Sequence, residues 1–201
     1  MSGRNIVLGI ALLAAACASK GPGPKSTSGF MSDYSELRHD EKYKSDWVYI
    51  KPDADLQEYD RVLIDPVVVM PLKASTAGEL SPAAQQKIAD HFTKILKDTI
   101  APYYTLALAP GPNVLRVRIA ITDVEKSTGG KPGDPDFRVG GAAMEAEIVD
   151  SVSGARLAAA IDRIQGSSAG RDVPREWLAV DGAMVEWANR LLDYLDYYNE
   201  K

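Results

Sequence analysis

The 201-residue chain has one cysteine, Cys17, and two histidines, His39 and His91. A single cysteine excludes an internal disulfide, and with two distant histidines it does not supply the ligand set of a structural zinc site. Positive charge is also short. Twenty-three lysines and arginines against 28 acidic residues leave a net charge of −5. That balance lacks the basic stripe nucleic acid calls for and argues against electrostatic docking on anionic lipid. Long hydrophobic runs are missing too. The longest apolar segment, Ile6 to Ala16, makes about 16 Å of helix, roughly half a hydrocarbon core. Serine at position 2 excludes N-myristoylation, which needs glycine there. There is no internal repeat.

What is present begins at the N-terminus. Arg4 is a short positive head, Ile6 to Ala16 is apolar, and Ala14-Ala15-Ala16 precede Cys17. This is the layout of a secretory signal with small residues at its cleavage site. With a cysteine where the mature chain would begin, it resembles the lipobox of bacterial lipoproteins, in which the thiol is lipidated and the chain is cut just before it. Leucine is the usual residue three before that cysteine; here Leu13 stands one place earlier and Ala14 occupies the position. The alternative is an ordinary signal cut near Ala16, leaving a free thiol, which would be a liability in an oxidising compartment. The resemblance implies palmitate-type acylation of Cys17, and two or more chains make such an anchor effectively permanent. Ala18 follows, where an aspartate tends to retain such proteins in the inner membrane. The expected location is therefore the periplasmic face of the outer membrane, with inner membrane and cell surface left open.

The expected organisation is a signal peptide over 1–16, a lipidated cysteine and Gly/Pro/Ser-rich tether over 17–29, and one globular domain over 30–201. Phe30 to Tyr59 carries scattered aromatics and reads as an extended segment pinned on the domain surface, with a short strand at Trp47–Ile50. Arg61 to Met70 is apolar on both faces and reads as a central, doubly covered strand broken at Asp65-Pro66. Ser81-Pro82 opens a helix that ends before Pro102, with Ile88, Phe92, Ile95 and Leu96 on one face. Tyr103 to Leu108 reads as a strand. Leu115 to Thr122 alternates, which predicts one buried and one wet face. Val139–Val149 and Arg156–Ile164 form a hairpin around Asp150…Gly154. A last helix runs from about Val173 to Tyr197. The fold class is α+β: one two-layer domain, a mostly antiparallel sheet with two main helices on one face.

Three blocks together carry a family resemblance: Ser28-Gly29-Phe30-Met31-Ser32-Asp33-Tyr34-Ser35-Glu36-Leu37, Tyr59-Asp60-Arg61-Val62-Leu63-Ile64-Asp65-Pro66-Val67, and Asp181-Gly182-Ala183-Met184-Val185-Glu186-Trp187-Ala188. They resemble, in order and over most of the mature chain, bacterial lipoproteins catalogued as domain of unknown function family 3313. The resemblance implies one intact domain and a lipid anchor. It brings no activity, cofactor or catalytic residue.

No catalytic constellation stands out. His91 flanks the first helix's apolar face and His39 sits among charges, so no triad is supported. Ser151 and Ser153 lack the glycines of a nucleophile elbow. Gly129-Gly130-Lys131-Pro132-Gly133 lacks a phosphate loop's ending. Glu145 and Glu147, with Arg116 and Arg118, read as the wet face of a sheet, and Asp65 as a structural acid at a bulge. Tyr194, Tyr197 and Tyr198, with Trp177 and Trp187, are more aromatic surface than one helix needs for its core. Either the Phe30–Tyr59 segment packs over that helix, or the three tyrosines form a partner surface. The resulting expectation is a non-enzymatic, cofactor-free module held to the membrane through lipid on Cys17 and binding another envelope component, a protein first. The rival is an envelope hydrolase using a carboxylate pair, Asp65 with Asp123 or Glu147.

Overall fold

The computed structural model describes residues 24–40, 45–52, 54–128, 140–165 and 177–199. Cys17, the signal segment, the Gly129–Gly133 stretch and the start of the last helix before residue 177 lie outside them. Among the described residues the strands are β1 (Arg38–Asp40), β2 (Ser45–Ile50), β3 (Arg61–Ile64), β4 (Val68–Val69), β5 (Thr105–Leu106), β6 (Val114–Glu125), β7 (Gly141–Asp150) and β8 (Arg156–Gln165). The helices are α1 (Pro82–Ile100) and α2 (Leu178–Asn199), with a 3-10 turn at Thr76–Glu79. The sheet order is β1-β2-β8-β7-β6-β3-β5, with β4 beside β6. The long strands pair antiparallel; β3 is parallel to β5 and β6, and β4 to β6. This is the expected α+β domain, two helices on a mostly antiparallel sheet.

Local chemistry explains the boundaries. The Ser81 hydroxyl accepts from the Ala84 N–H, and Pro82 occupies the first turn of α1, where a missing N–H costs nothing. In the β7–β8 turn, the Asp150 carboxylate accepts from the Val152 and Ser153 N–H groups while Gly154 takes φ +72°, the left-handed conformation glycine adopts without a Cβ clash. At Asp65-Pro66 the chain leaves β3. The Val67 N–H is caught by the Thr93 hydroxyl of α1 at 2.9 Å, tying the break to the helix.

Phe92, Leu96 and Ile100 of α1 and Met184, Ala188 and Leu195 of α2 bury against Val117, Ile119, Ile121, Met144 and Ile148. Phe92 meets Trp187 with ring centroids 5.9 Å apart, joining the helices over the sheet.

Three expectations are corrected. The Arg61–Met70 run is not a doubly covered centre: β3 is next to the sheet edge, buried on one face at Val62 and Ile64. The Tyr103–Leu108 strand shrinks to two residues, and Leu108 is fully exposed. The alternating β6 has no wet face along most of its length, because the face opposite the helices is itself covered.

Backbone crowding where β7 meets β8 gives a test. A Cβ on Gly141 would run into the Ile164 carbonyl oxygen, whereas one at Gly154 meets open space and only the φ penalty. Gly141→Ala should therefore lower stability by about 2–3 kcal/mol and Gly154→Ala by about 1 kcal/mol, read from urea midpoints at constant m. Equal losses would contradict the packing at the strand end.

Candidate functional site

The face of the sheet opposite the helices bears the charges, and residues 28–37 lie across it as a strap. Cross-strand register puts Arg118 opposite Glu147, Ala120 opposite Glu145, and Asp123 opposite Ala143 on this face. Glu145 is 1% exposed, Glu147 4% and Asp123 5%. The expectation that Glu145 and Glu147 are solvated is thus wrong. Glu145 accepts from the Ser28 N–H at 2.7 Å, the Ser28 hydroxyl at 2.9 Å and the Tyr34 hydroxyl at 2.5 Å. Glu147 is held between Arg118 and Arg156, and Arg156 also donates to the Asp33 carbonyl at 2.7 Å. The Arg118 guanidinium sits 5.2 Å from the centre of the Phe30 ring, a cation–π distance. Met31 and Leu37 bury against Ala159 with Phe30, Tyr34, Trp47 and Tyr49 around them. The aromatic segment therefore pins to the domain, but on the sheet face away from α2.

Each candidate acid already has a cation. Asp65 takes a fork from Arg116, both oxygens at 3.0 Å from Nε. Asp123 receives Arg163 and accepts from the Ser75 hydroxyl at 2.6 Å. Asp162, on the helical face, accepts from the Trp187 indole at 2.7 Å and from Arg190 at 2.9 Å. His91 Nε2 lies 2.7 Å from Asp181, bridging α1 and α2, with His91 itself exposed. His39 packs edge-on against Trp47. Among the described residues no group of His, Cys, Asp or Glu is arranged to hold a metal ion, and no helix is long and apolar enough to cross a membrane.

Asp123 and Asp162 depart from the ordinary carboxylate value of 3.8 in opposite directions. Burial alone would raise Asp123, but the Ser75 hydroxyl and Arg163 outweigh it and lower its pKa. For Asp162 burial wins over the indole and Arg190, and its pKa is raised.

The other feature is a groove beside α2. Ala146, Ala158 and Ala160 form its floor, Val48 and Ile50 of β2 its far wall, and Trp187, Leu191 and Tyr194 of α2 its near wall. Its volume is about 130 Å³. The paired registers Ala146↔Ala160 and Ile148↔Ala158 put small side chains under the helix edge, where larger ones would fill the space. Trp187, Leu191 and Tyr194 fall at i, i+4 and i+7, one stripe of the helix.

Of the expected partner surface, Tyr194 lines this groove and Tyr197 is 45% exposed beside it on the same helix; the Tyr198 side chain lies outside the described residues. Trp187 is core. Sequence reasoning missed the groove, whose one visible signal was the run Ala158-Ala159-Ala160 within a strand.

The fold and these features define a class: a two-layer α+β domain with a covered charged face and an apolar groove, and no assembled catalytic set among the described residues. Residues 26–191 match the family described as Protein of unknown function (DUF3313), and the chain belongs to that family. It is 32% identical over 117 residues to the "Uncharacterized lipoprotein YdcL" of Escherichia coli K12, a match covering 57% of this chain and 52% of the relative, so it spans about half the relative's length. Solved structures with some likeness include a DUF330 protein of Xanthomonas campestris (TM-score 0.46, 15% identity, 75% of this chain and 91% of that one). Two others are the PelC dodecamer of Paraburkholderia phytofirmans (TM-score 0.42, 13% identity, 71% and 96%) and a lipoprotein of Caulobacter crescentus described as putative (TM-score 0.38, 13% identity, 73% and 95%).

The covered face generates two tests. Glu145→Ala removes the acceptor shared by Ser28 and Tyr34 and should cost about 2–4 kcal/mol; it should also open residues 28–37 to proteolysis, while Tyr34→Phe costs about 1 kcal/mol. Proteolysis unchanged from wild type would mean that Glu145 does not hold the strap. For pH, the unfolded chain holds the Asp123 proton more tightly than the native one. Asp123 therefore contributes stability above pH 3.8 that is lost as pH falls through its lowered pKa. Asp162 has the opposite sign: the native state holds its proton more tightly, so its share of stability falls as pH rises from 3.8 through its raised pKa. Asp123→Asn should flatten the acid limb of stability against pH below 3.8, measured by urea unfolding; an unchanged limb would remove Asp123 as its source.

Proposed function

We propose that this chain is anchored by lipid on Cys17 to the periplasmic face of the outer membrane, and that its folded domain is a non-enzymatic module that binds another envelope component through the face formed by α2 and the groove. The groove is the observation that carries the binding reading. It is an apolar recess with an exposed tyrosine, Tyr197, beside it, and apolar recesses with aromatic rims are where ligands and partner side chains are taken up. The non-enzymatic part is supported by the fate of the acids. Asp65, Asp123 and Glu147 each sit in an arginine ion pair, so their oxygens are engaged by structural partners rather than facing one another across a shared space. The anchor reading is supported by the Ala14-Ala15-Ala16-Cys17 sequence, the family and the named lipoprotein relative. Ala18 in place of aspartate supports the outer membrane.

Intact mass of the membrane-extracted protein beside Cys17→Ser tests the anchor. The expected result is a chain beginning at Cys17 with added acyl mass, found with outer-membrane fractions, and a soluble or unprocessed Cys17→Ser form. An unacylated, soluble mature chain in the wild type would overturn it. A photo-crosslinker at Tyr197 then reads contacts of the α2 face in cells, with one at Lys94, an exposed α1 position, as the comparison.

A further inference from the structure

We propose that the loops carrying Leu108 and Val152, with Tyr103 beside them, dip into the interfacial layer of a zwitterionic phospholipid bilayer and rest that end of the domain on the membrane. This rests on the Cys17 anchor proposed above, which brings the domain to the bilayer.

Position comes first. Thr105, Arg61 and Val114, which start β5, β3 and β6, lie level across the sheet, and Asp150, the end of β7, stands opposite Leu115. The residues leading into β5 and β6 and the β7–β8 turn therefore share one end of the sheet. Of the five large apolar side chains exposed among the described residues, three are here: Leu108 at 99%, Tyr103 at 69% and Val152 at 68%. Of the whole chain 25% is charged, yet residues 107–113 and 151–155 hold no charged side chain. The charges that border them are engaged. Asp150 accepts from the Val152 and Ser153 N–H groups, Arg156 is held by Glu147 and the Asp33 carbonyl, and Arg61, which reaches the Pro112 carbonyl, pairs with Asp60. The loops are also tied together. The buried Ser151 hydroxyl accepts from the Gly111 N–H at 3.1 Å and donates to the Gly111 carbonyl at 3.0 Å.

Shape and charge name the occupant. Three side chains at loop ends expose on the order of a few hundred Å², short of the roughly 800 Å² per partner that a stable protein interface buries. A bilayer needs no such area from a domain tethered to it, because the tether keeps the local concentration high. Leucine and valine suit the acyl boundary, and tyrosine the head-group level. With no cation in either loop and a net charge of −5, attraction to anionic lipid has no source. Reach is sufficient. Ser28 is held at Glu145, and the five strand steps from there to Asp150 span about 17 Å, against a contour of at most about 40 Å from Cys17 to Ser28.

Cys17 is the only cysteine, so in the lipidated protein an introduced cysteine is the one free thiol. Full-length protein, extracted with its lipid, is labelled with an environment-sensitive fluorophore at Leu108→Cys, Val152→Cys or Lys87→Cys and reconstituted into phosphatidylcholine vesicles. Lys87 is exposed early in α1, about 20 Å along the helix from its end near Tyr103. Bromines on the acyl chains are expected to quench the labels at 108 and 152 at least threefold more than the label at 87. Leu108→Asp is expected to cut the quenching at Val152→Cys by at least half. All these positions are exposed, so the changes leave the packing intact, and the two loop sites give independent readings.

Equal quenching at all three sites, or none at the loops in protein that floats with the vesicles, would overturn the proposal and leave the anchor standing. Loop labels shielded from aqueous iodide yet unquenched by brominated lipid would overturn it in favour of a protein partner. A chain that carries no acyl mass and does not float would overturn the anchor and the proposal with it.

Discussion

The structure depends on keeping buried charge paired on the sheet face away from the helices. β6, β7 and β8 each carry charged side chains toward that face, and the strap of residues 28–37 excludes water from several of them. A buried carboxylate without donors costs more than most cores can absorb. Here Glu147 has two arginines, Asp123 has Arg163 and Ser75, and Glu145 has the strap itself. Removal of one partner strands the other. The strap is therefore not a tail resting on a finished domain; it completes the hydrogen bonding of the central strand.

The helical face follows the opposite rule. It is apolar apart from the Asp162 cluster, and Asp162 is compensated by the indole of Trp187 and by Arg190 on α2. That cluster fixes how α2 sits over β8. It also fixes the groove, because Trp187 and Arg190 are the residues from which the near wall continues to Leu191 and Tyr194. The recess is held open by the alanines beneath it while the polar contacts prevent α2 from settling onto β2.

Much of the fold was legible. The 3.6 period marked α1 and α2, the 2.0 period marked β6, and Ser81-Pro82 and Asp150…Gly154 marked the start of α1 and the β7–β8 turn, because those signals are local. The failures share a cause. Glu145 looked solvated because its partners, Ser28 and Tyr34, lie 117 and 111 residues away; alternation says that one face is polar, not that it is wet. β3 looked central because its neighbours in sequence are apolar on both faces, yet sheet order is set by pairing between distant strands. The groove was hidden because a space is a property of what three elements fail to fill. An alanine run is its only trace, and alanine runs have many causes.

The two faces together constrain how the domain can meet a bilayer. Ser28 is fixed on the strap face, and α2 with its groove lies on the other side of the sheet. Eleven residue steps separate Cys17 from Ser28, a contour of at most about 40 Å. The sheet and its helical layer are each about 10 Å thick, so that contour is enough to pass from one face to the other. Under the proposed Cys17 anchor the domain has two attitudes within reach: strap face toward the bilayer, or rolled over with the groove toward it. The strap cannot itself detach without stranding Glu145, so either attitude keeps residues 28–37 on the sheet face.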